Sequence, residues 1–257
     1  MMKIPVQLYV PNILCYIRIL LAFVGLYKSI ENCAVSSSEE QQVGAVKVVC
    51  IWIASGLLDL VDGPLARILH QTSSLGVFLD IAADNILRSC VWIATVAVAI
   101  SSTSGAMVGN IETLQFHPPK AATVSLAAAF LVSLEWSTMV ATQVHISAST
   151  TTPNHWKEAR STDPWIVQRY FANNFRNPVG SLGIFGLFAS NMLTYGSYYS
   201  IFHTSIPLYH VWMYLSYMGR ALTAGIEVYL CCGYFAFTIA RDQESSSSKD
   251  VVDEKKR

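Results

Sequence analysis

Charged residues are scarce in this chain, and neither sign is in excess. Only 13% of the 257 residues are Asp, Glu, Lys or Arg, and the formal net charge is zero. A balanced charge gives no basic surface for a phosphate backbone, so nothing in the composition indicates nucleic-acid binding. At 53% hydrophobic residues, the chain is too apolar for an ordinary soluble domain with one core. The composition therefore predicts a membrane protein.

Cysteine pairs with the spacing of a metal site are also missing. The six cysteines lie mostly within apolar runs, at positions 15, 33, 50, 90, 231 and 232. This placement is typical of small buried hydrophobic residues in a reducing or membrane setting, and not of a disulfide framework. The first residues lack a small-residue cleavage site, so we expect no removable signal peptide.

Apolar runs long enough to cross a bilayer recur along the chain. They predict an all-α polytopic membrane protein built as a six-helix bundle, with spans at 11–28, 45–66, 76–100, 121–146, 179–203 and 209–240. The stretch 147–177 mixes aromatic and basic residues, which predicts a short amphipathic segment at the headgroup level. We expect a membrane domain over 1–241 and a charged, disordered tail over 242–257.

Half of the chain's eight aspartates fall within 26 residues, flanked by apolar runs. They form the pattern Asp59-x2-Asp62-Gly63-x2-Ala66-Arg67-x8-Gly76-x3-Asp80-x3-Asp84. Ionised carboxylates in an apolar surround are costly unless they are paired or bind a metal, and four close together repel one another. Hard oxygen ligands suit divalent cations. The pattern therefore indicates a site for one or two such ions.

The spacing of this motif fits two helices joined by a tight reversal. At 100° per residue, two sets of motif residues each share one helix face. They are Asp59, Asp62, Gly63 and Ala66 on the first helix, and Gly76, Asp80 and Asp84 on the second. We expect the helices to lie antiparallel and side by side, with the carboxylates between them. The small residues leave room for a flat or bulky group, and Arg67 suits a phosphate.

The distribution of basic residues predicts how the chain is oriented. With a cytoplasmic amino terminus, only Lys28, Lys47 and Lys120 of the loop and helix-end cations fall on the opposite side. This asymmetry satisfies the positive-inside rule. It places the Arg67 turn, and with it the aspartate site, at the cytoplasmic face.

The eight-position motif resembles, with no substitution or spacing error, the signature of the CDP-alcohol phosphatidyltransferases. These membrane enzymes displace CMP from CDP-diacylglycerol or transfer a phosphobase from a CDP-alcohol. The opening run from Val10 to Ile19 and the segment Trp165–Phe171 are similar to eukaryotic phosphatidylinositol synthases. In that opening run, Asn12 and Arg18 either face the donor or serve as an interfacial cap and a snorkelling arginine.

The resemblance implies a role for each aspartate. Asp59, Asp62 and Asp80 would coordinate two divalent ions, Mg²⁺ or Mn²⁺, with Asp84 near the second. Asp84 is also the candidate general base for the acceptor hydroxyl, and a plain metal ligand is the alternative.

The resemblance also implies which residues meet the two substrates. CDP-lipid would contact Gly63, Ala66, Arg67 and Gly76. The acceptor candidates are Asn85 and Arg88, and further polar side chains available to an acceptor are Glu135, Asn191, Arg220 and Glu227. Arg220 and Glu227 share a helix face, so they line the pocket or form structural pairs.

The implied reaction transfers a phosphatidyl group from CDP-diacylglycerol to an alcohol, with myo-inositol the best single acceptor, and releases CMP. One alternative keeps the fold and changes the acceptor, to glycerol phosphate or to a diradylglycerol that takes a phosphobase. Another is a non-catalytic paralogue that binds CDP-lipid. The resemblance further suggests a homodimer in the endoplasmic reticulum membrane.

Overall fold

The computed structural model describes residues 5–103, 119–148, 162–202 and 208–254. Seven α-helices lie in these ranges: α1 Val10–Cys33, α2 Ser38–Ile68, α3 Ser74–Thr103, α4 Ala121–Ala148, α5 Trp165–Phe171, α6 Pro178–Tyr198 and α7 Tyr209–Glu254. A turn of 3₁₀ helix, Val6–Leu8, precedes α1. No strand occurs in the described ranges. The predicted all-α class is confirmed.

Five of these helices, α1, α2, α3, α4 and α7, are long and apolar enough to cross a membrane by length and composition. The remaining predicted span, 179–203, corresponds to α6. It contains no charged residue, and its polar side chains Ser190, Asn191 and Thr194 are buried. The bundle of described helices therefore has a sixth long helix whose polar side chains face the protein interior.

Helix α1 presents small and polar residues to the interior and large apolar residues outward. Its buried residues recur every three or four positions: Pro11, Asn12, Cys15, Arg18, Ala22, Gly25, Ser29 and Asn32. Between them, Leu20, Phe23 and Tyr27 are each more than half exposed. Small residues let helix backbones approach closely, and large apolar ones suit a lipid environment. This arrangement is the reverse of that in a soluble amphipathic helix.

The small face of α1 packs along both α2 and α3, which make few contacts with each other. This corrects the expectation that the two motif helices lie side by side along their length. Helices α1 and α2 fit closely together, because a Cβ placed on Gly25 would lie 2.2 Å from Nε1 of Trp52 in α2. The same Trp52 nitrogen donates a hydrogen bond to the carbonyl oxygen of Ala22 at 3.3 Å. Helix α1 therefore lies where it can reach residues on both motif helices.

Glycines bring α6 and α7 into close contact. A Cβ placed on Gly186 would lie 2.2 Å from the backbone nitrogen of Arg220, and one on Gly219 would lie 2.1 Å from the carbonyl oxygen of Leu182. Real Cβ atoms do not approach backbone atoms so closely, so both positions require glycine.

Gly186→Ala should therefore destabilise the fold by about 1–3 kcal/mol, because the added methyl group overlaps backbone atoms of α7. Gly225→Ala is the matched control, since no heavy atom lies within 4 Å of the Cβ it would add. The control should be neutral or slightly stabilising, because Ala has the higher helix propensity. Thermal unfolding of both purified variants tests this, and equal melting temperatures would contradict the close approach.

Helix α5 represents the described part of the predicted amphipathic segment. Trp165 is exposed, whereas Val167, Tyr170 and Phe171 are buried and pack in a cluster with Ile226 of α7. This two-faced pattern agrees with a helix lying at an interface. Three further aromatic and basic residues of this segment lie outside the described residues: Trp156, Lys157 and Arg160.

The carboxyl-terminal segment contains the end of the last helix. Helix α7 continues to Glu254, through most of the segment 242–257 that the sequence predicted to be disordered. No proline or glycine follows Gly233, so the usual helix-ending residues are missing between Gly233 and Glu254.

Candidate active site

Four motif carboxylates converge on one guanidinium group. Arg18 of α1 forms ion pairs with Asp59 and Asp62 of α2 and with Asp80 and Asp84 of α3. The nitrogen–oxygen distance is 2.8 Å to each of the first three. The Arg18 side chain is only 1% exposed, which rules out a snorkelling arginine. The structure thus brings together the four aspartates that the sequence singled out and places Arg18 at their centre.

Three of these aspartates could hold a metal ion. One carboxylate oxygen from each of Asp59, Asp62 and Asp80 lies within 4.8 Å of the other two. Such oxygens are hard ligands, which suit Mg²⁺ or Mn²⁺ better than soft metals. Asp84 lies beside this group, bound by Arg18 and 3.7 Å from a guanidinium nitrogen of Arg88. The donor set therefore fits a hard divalent cation held between α2 and α3.

A cavity of about 170 Å³ opens beside the carboxylates, between α1, α2 and α3. Motif residues in its lining are Asp62, Gly63, Ala66, Arg67, Gly76 and Asp80. Its width depends on glycine, since a Cβ on Gly76 would lie 2.9 Å from Oδ1 of Asn12 and 3.2 Å from Oγ of Ser73. The cavity thus provides the space that the small motif residues predicted.

The turn between α2 and α3 supplies one wall of this cavity and holds the start of α1. His70 takes a left-handed conformation with φ of 53°, and the Gln71 amide donates to the Ala66 carbonyl at 2.9 Å. This is a common way to end a helix. The Gln71 side-chain oxygen then accepts a hydrogen bond from the Val10 amide at 2.9 Å. The first turn of α1 is therefore tied directly to the motif.

A second, buried charged network begins one helical turn beyond Asp84. Arg88 donates through Nε to Glu135 of α4 at 2.9 Å. Glu135 also accepts from Arg220 of α7 at 3.0 Å, and Arg220 donates to Glu227 at 3.0 Å. All four side chains are at most 10% exposed. The structural pairing that the sequence offered for Arg220 and Glu227 is confirmed, and Glu227 also borders a cavity.

A second cavity, of about 130 Å³, borders this network. Its polar lining consists of Asn85, Arg88, Glu135, Thr138, Thr142, Tyr170, Thr223 and Glu227. Burial raises the pKa of the Tyr170 phenol, which therefore remains a neutral hydroxyl, and its oxygen lies 3.3 Å from Oγ1 of Thr223. Asn191 is buried on α6, where its side-chain oxygen accepts a hydrogen bond from the Met192 amide at 2.8 Å. Most of the acceptor candidates therefore surround one polar cavity.

Residues 8–157 match the family model of the CDP-alcohol phosphatidyltransferases, which is more than half of the chain. The chain belongs to this family. The match covers α1 to α4 and hence all four aspartates and Arg18. Helices α6 and α7, which complete the second cavity, lie beyond it.

Curated relatives in the family are inositol phosphatidyltransferases. CDP-diacylglycerol–inositol 3-phosphatidyltransferase 1 of Arabidopsis thaliana is 26% identical over 171 residues, which cover 66% of this chain and 59% of that protein. CDP-diacylglycerol–inositol 3-phosphatidyltransferase of Homo sapiens is 32% identical over 83 residues, which cover 32% of this chain and 33% of that protein. The alignments thus span about three fifths and one third of these relatives. No solved structure matches the chain.

Arg18 is more central to the site than its sequence pattern indicated. Its resemblance to a family residue allowed two roles, and a charge in the middle of the first apolar run was a further signal. The buried residues Cys15 and Ala22 lie on the same face of α1 as Arg18, so the small-residue stripe could have shown that this arginine faces inward.

Proposed function

We propose that this chain transfers a phosphatidyl group from CDP-diacylglycerol to an alcohol and releases CMP. The observation that carries the proposal is the convergence of four motif carboxylates beside a cavity lined by Gly63, Ala66 and Gly76. The family's substrates are a CDP-alcohol and an alcohol acceptor. The inositol phosphatidyltransferases among its relatives favour CDP-diacylglycerol as the donor.

The donor would occupy the first cavity. Its cytidine would lie against the small residues Gly63, Ala66 and Gly76, and Arg67 would contact phosphate. Asp59, Asp62 and Asp80 would hold the Mg²⁺ or Mn²⁺ ions, and two ions suit the charge of four carboxylates. When bound, these ions supply neutralising charge to the pyrophosphate and to the departing CMP.

Asp84 would act as the general base. It lies between the donor site and the second cavity, in contact with both Arg18 and Arg88. Its carboxylate would take the proton of the acceptor hydroxyl as that oxygen bonds to the phosphorus carrying diacylglycerol. The bond from this phosphorus to the CMP oxygen breaks, and CMP leaves with the electron pair.

The acceptor would occupy the second cavity, and its charge balance favours a neutral polyol such as myo-inositol. Arg88 and Arg220 are each paired with Glu135, and Arg220 is also paired with Glu227. Two cations and two anions leave no excess positive charge for a phosphate group. Glycerol phosphate would have to break these buried pairs to gain a cation, which is costly. The hydroxyl groups of Tyr170 and Thr223 and the amide of Asn85 suit the hydroxyls of a polyol.

The proposal also includes the orientation of the site, the membrane of residence and the oligomeric state. The basic residues on the Arg67 side support a cytoplasmic active site. Residence in the endoplasmic reticulum and a homodimeric state rest on the resemblance alone.

Purified protein supplied with labelled CDP-diacylglycerol, Mn²⁺ and myo-inositol should release CMP and form labelled lipid, and EDTA should abolish both.

Asp59→Asn should lose metal-dependent donor binding and activity, because it removes one of three clustered ligands. Asp163→Asn is the matched control, since Asp163 lies outside the motif and accepts from Tyr229. It should keep both properties. Activity with glycerol phosphate but not with inositol would reassign the acceptor. Donor binding without CMP release for any acceptor would favour the non-catalytic paralogue.

A further inference from the structure

We propose that Arg18 competes with the divalent ions for the motif carboxylates and so sets the metal affinity of the site. This inference rests on the metal requirement of the proposed function. It concerns a residue of this chain that is neither a metal ligand nor a general base.

The oxygens that Arg18 binds are the first evidence. One terminal nitrogen, Nη1, donates to Oδ2 of Asp62 and Oδ1 of Asp80, each at 2.8 Å. The other, Nη2, lies 2.8 Å from Oδ1 of Asp59 and also binds Oδ1 of Asp84. Each nitrogen therefore bridges α2 and α3. A single guanidinium uses one oxygen from every carboxylate of the motif.

A metal ion needs the same neighbourhood. Hard cations bind carboxylate oxygens at about 2.0–2.6 Å. An ion among Asp59, Asp62 and Asp80 would then stand within a few ångströms of a guanidinium whose nitrogens are 2.8 Å from their oxygens. Like charges at such a distance repel each other. The two cations therefore cannot share these oxygens without loss of binding energy.

The attachment of Arg18 allows it to give way. Its terminal nitrogens bind only carboxylates of the motif among the described residues, and its Nε makes no hydrogen bond. Its backbone is held separately, since the Arg18 carbonyl accepts from Ser55 Oγ at 3.1 Å. Moving the guanidinium therefore breaks ion pairs that an incoming metal would replace, and it leaves α1 in place.

The test is a Mn²⁺ titration of the full-length purified protein in detergent, followed by calorimetry, together with thermal unfolding in EDTA. Arg18→Gln should bind Mn²⁺ about tenfold more tightly, within the roughly 5–150-fold range of coupled binding events. Without metal it should melt roughly 5–15 °C below wild type, because four carboxylates lose their shared counter-charge. Saturating Mn²⁺ should remove most of that difference.

Two further variants keep the test decisive. Arg18→Lys retains the charge, but one ammonium cannot bridge four carboxylates as a guanidinium does. The Mn²⁺ affinity of this variant should therefore fall between those of the wild type and Arg18→Gln. This variant carries the test if Arg18→Gln does not fold. Gly186→Ala is the control for lost stability, because it lies between α6 and α7, away from the carboxylates. It should bind Mn²⁺ as wild type does.

Unchanged or weaker Mn²⁺ binding by both Arg18 variants would overturn competition and make Arg18 an organiser of the carboxylates. Failure of the wild type and of both Arg18 variants to bind Mn²⁺ would instead defeat the metal requirement itself, and this inference with it. The two failures are therefore distinguishable without an activity assay.

Discussion

Asp84→Asn should lower turnover by roughly 10²–10⁴-fold while leaving CDP-lipid binding largely intact, the usual effect of losing a positioned base. The carboxamide keeps the size of the side chain but cannot accept a proton from the acceptor. Asp84 also lies outside the group Asp59, Asp62 and Asp80, whose oxygens cluster for a metal. Incorporation of labelled inositol measures turnover, and the Mn²⁺-dependent rise in melting temperature caused by CDP-lipid measures binding.

Asp80→Asn is the comparison variant for this experiment. It lies one helical turn before Asp84 on α3 but belongs to the clustered group, so it should lose donor binding as well as turnover. Near-normal CMP release by Asp84→Asn with the true acceptor would show that Asp84 is not the base. Loss of donor binding in both variants would make Asp84 a metal ligand.

Glu135→Gln should destabilise the protein by about 3–5 kcal/mol, the usual cost of removing one partner from a buried ion pair. Glu135 is 1% exposed and accepts hydrogen bonds from both Arg88 and Arg220. A neutral amide leaves these two buried cations with Glu227 as the remaining glutamate of the network. Chemical denaturation of the purified variant in detergent measures the change.

Glu31→Gln is the matched control for this prediction. Glu31 also pairs with a cation, Lys28 at 2.7 Å, but both side chains are about half exposed. Water and salt screen such pairs, so this substitution should have little measurable effect on stability. A similar loss in both variants would mean that burial is not what makes the Glu135 network matter.

The sequence predicted the helical class and the grouping of the four aspartates well because both depend largely on local patterns. Apolar runs of membrane length indicate helices directly, and carboxylates at i and i+4 must share a helix face. Asp80 and Asp84 could therefore be placed together without knowledge of any other helix. Their meeting with Asp59 and Asp62 followed from the cost of leaving four charges unpaired.

Features that depend on distant partners could not be read from the pattern. Periodicity shows that Arg18 faces the interior, but its four partners lie 41 to 66 positions further along the chain. Glu135 is likewise matched with Arg88 on one helix and Arg220 on another. Local spacing also cannot tell that α2 and α3 each pack mainly against α1, because that depends on contacts between distant residues such as Gly25 and Trp52.

The placement of Arg18 on the first helix has a consequence for biosynthesis. The groups of the proposed donor site lie on α1, α2, α3 and the turn between α2 and α3, so a ribosome has made its six charged residues, Arg67 included, by the time Asp84 emerges. Aspartates entering a bilayer without a counter-charge are costly. Because Arg18 is made first, it is already available when each aspartate reaches the membrane. The donor half can thus assemble as an early unit, whereas the second cavity must wait for α7 to supply Glu227.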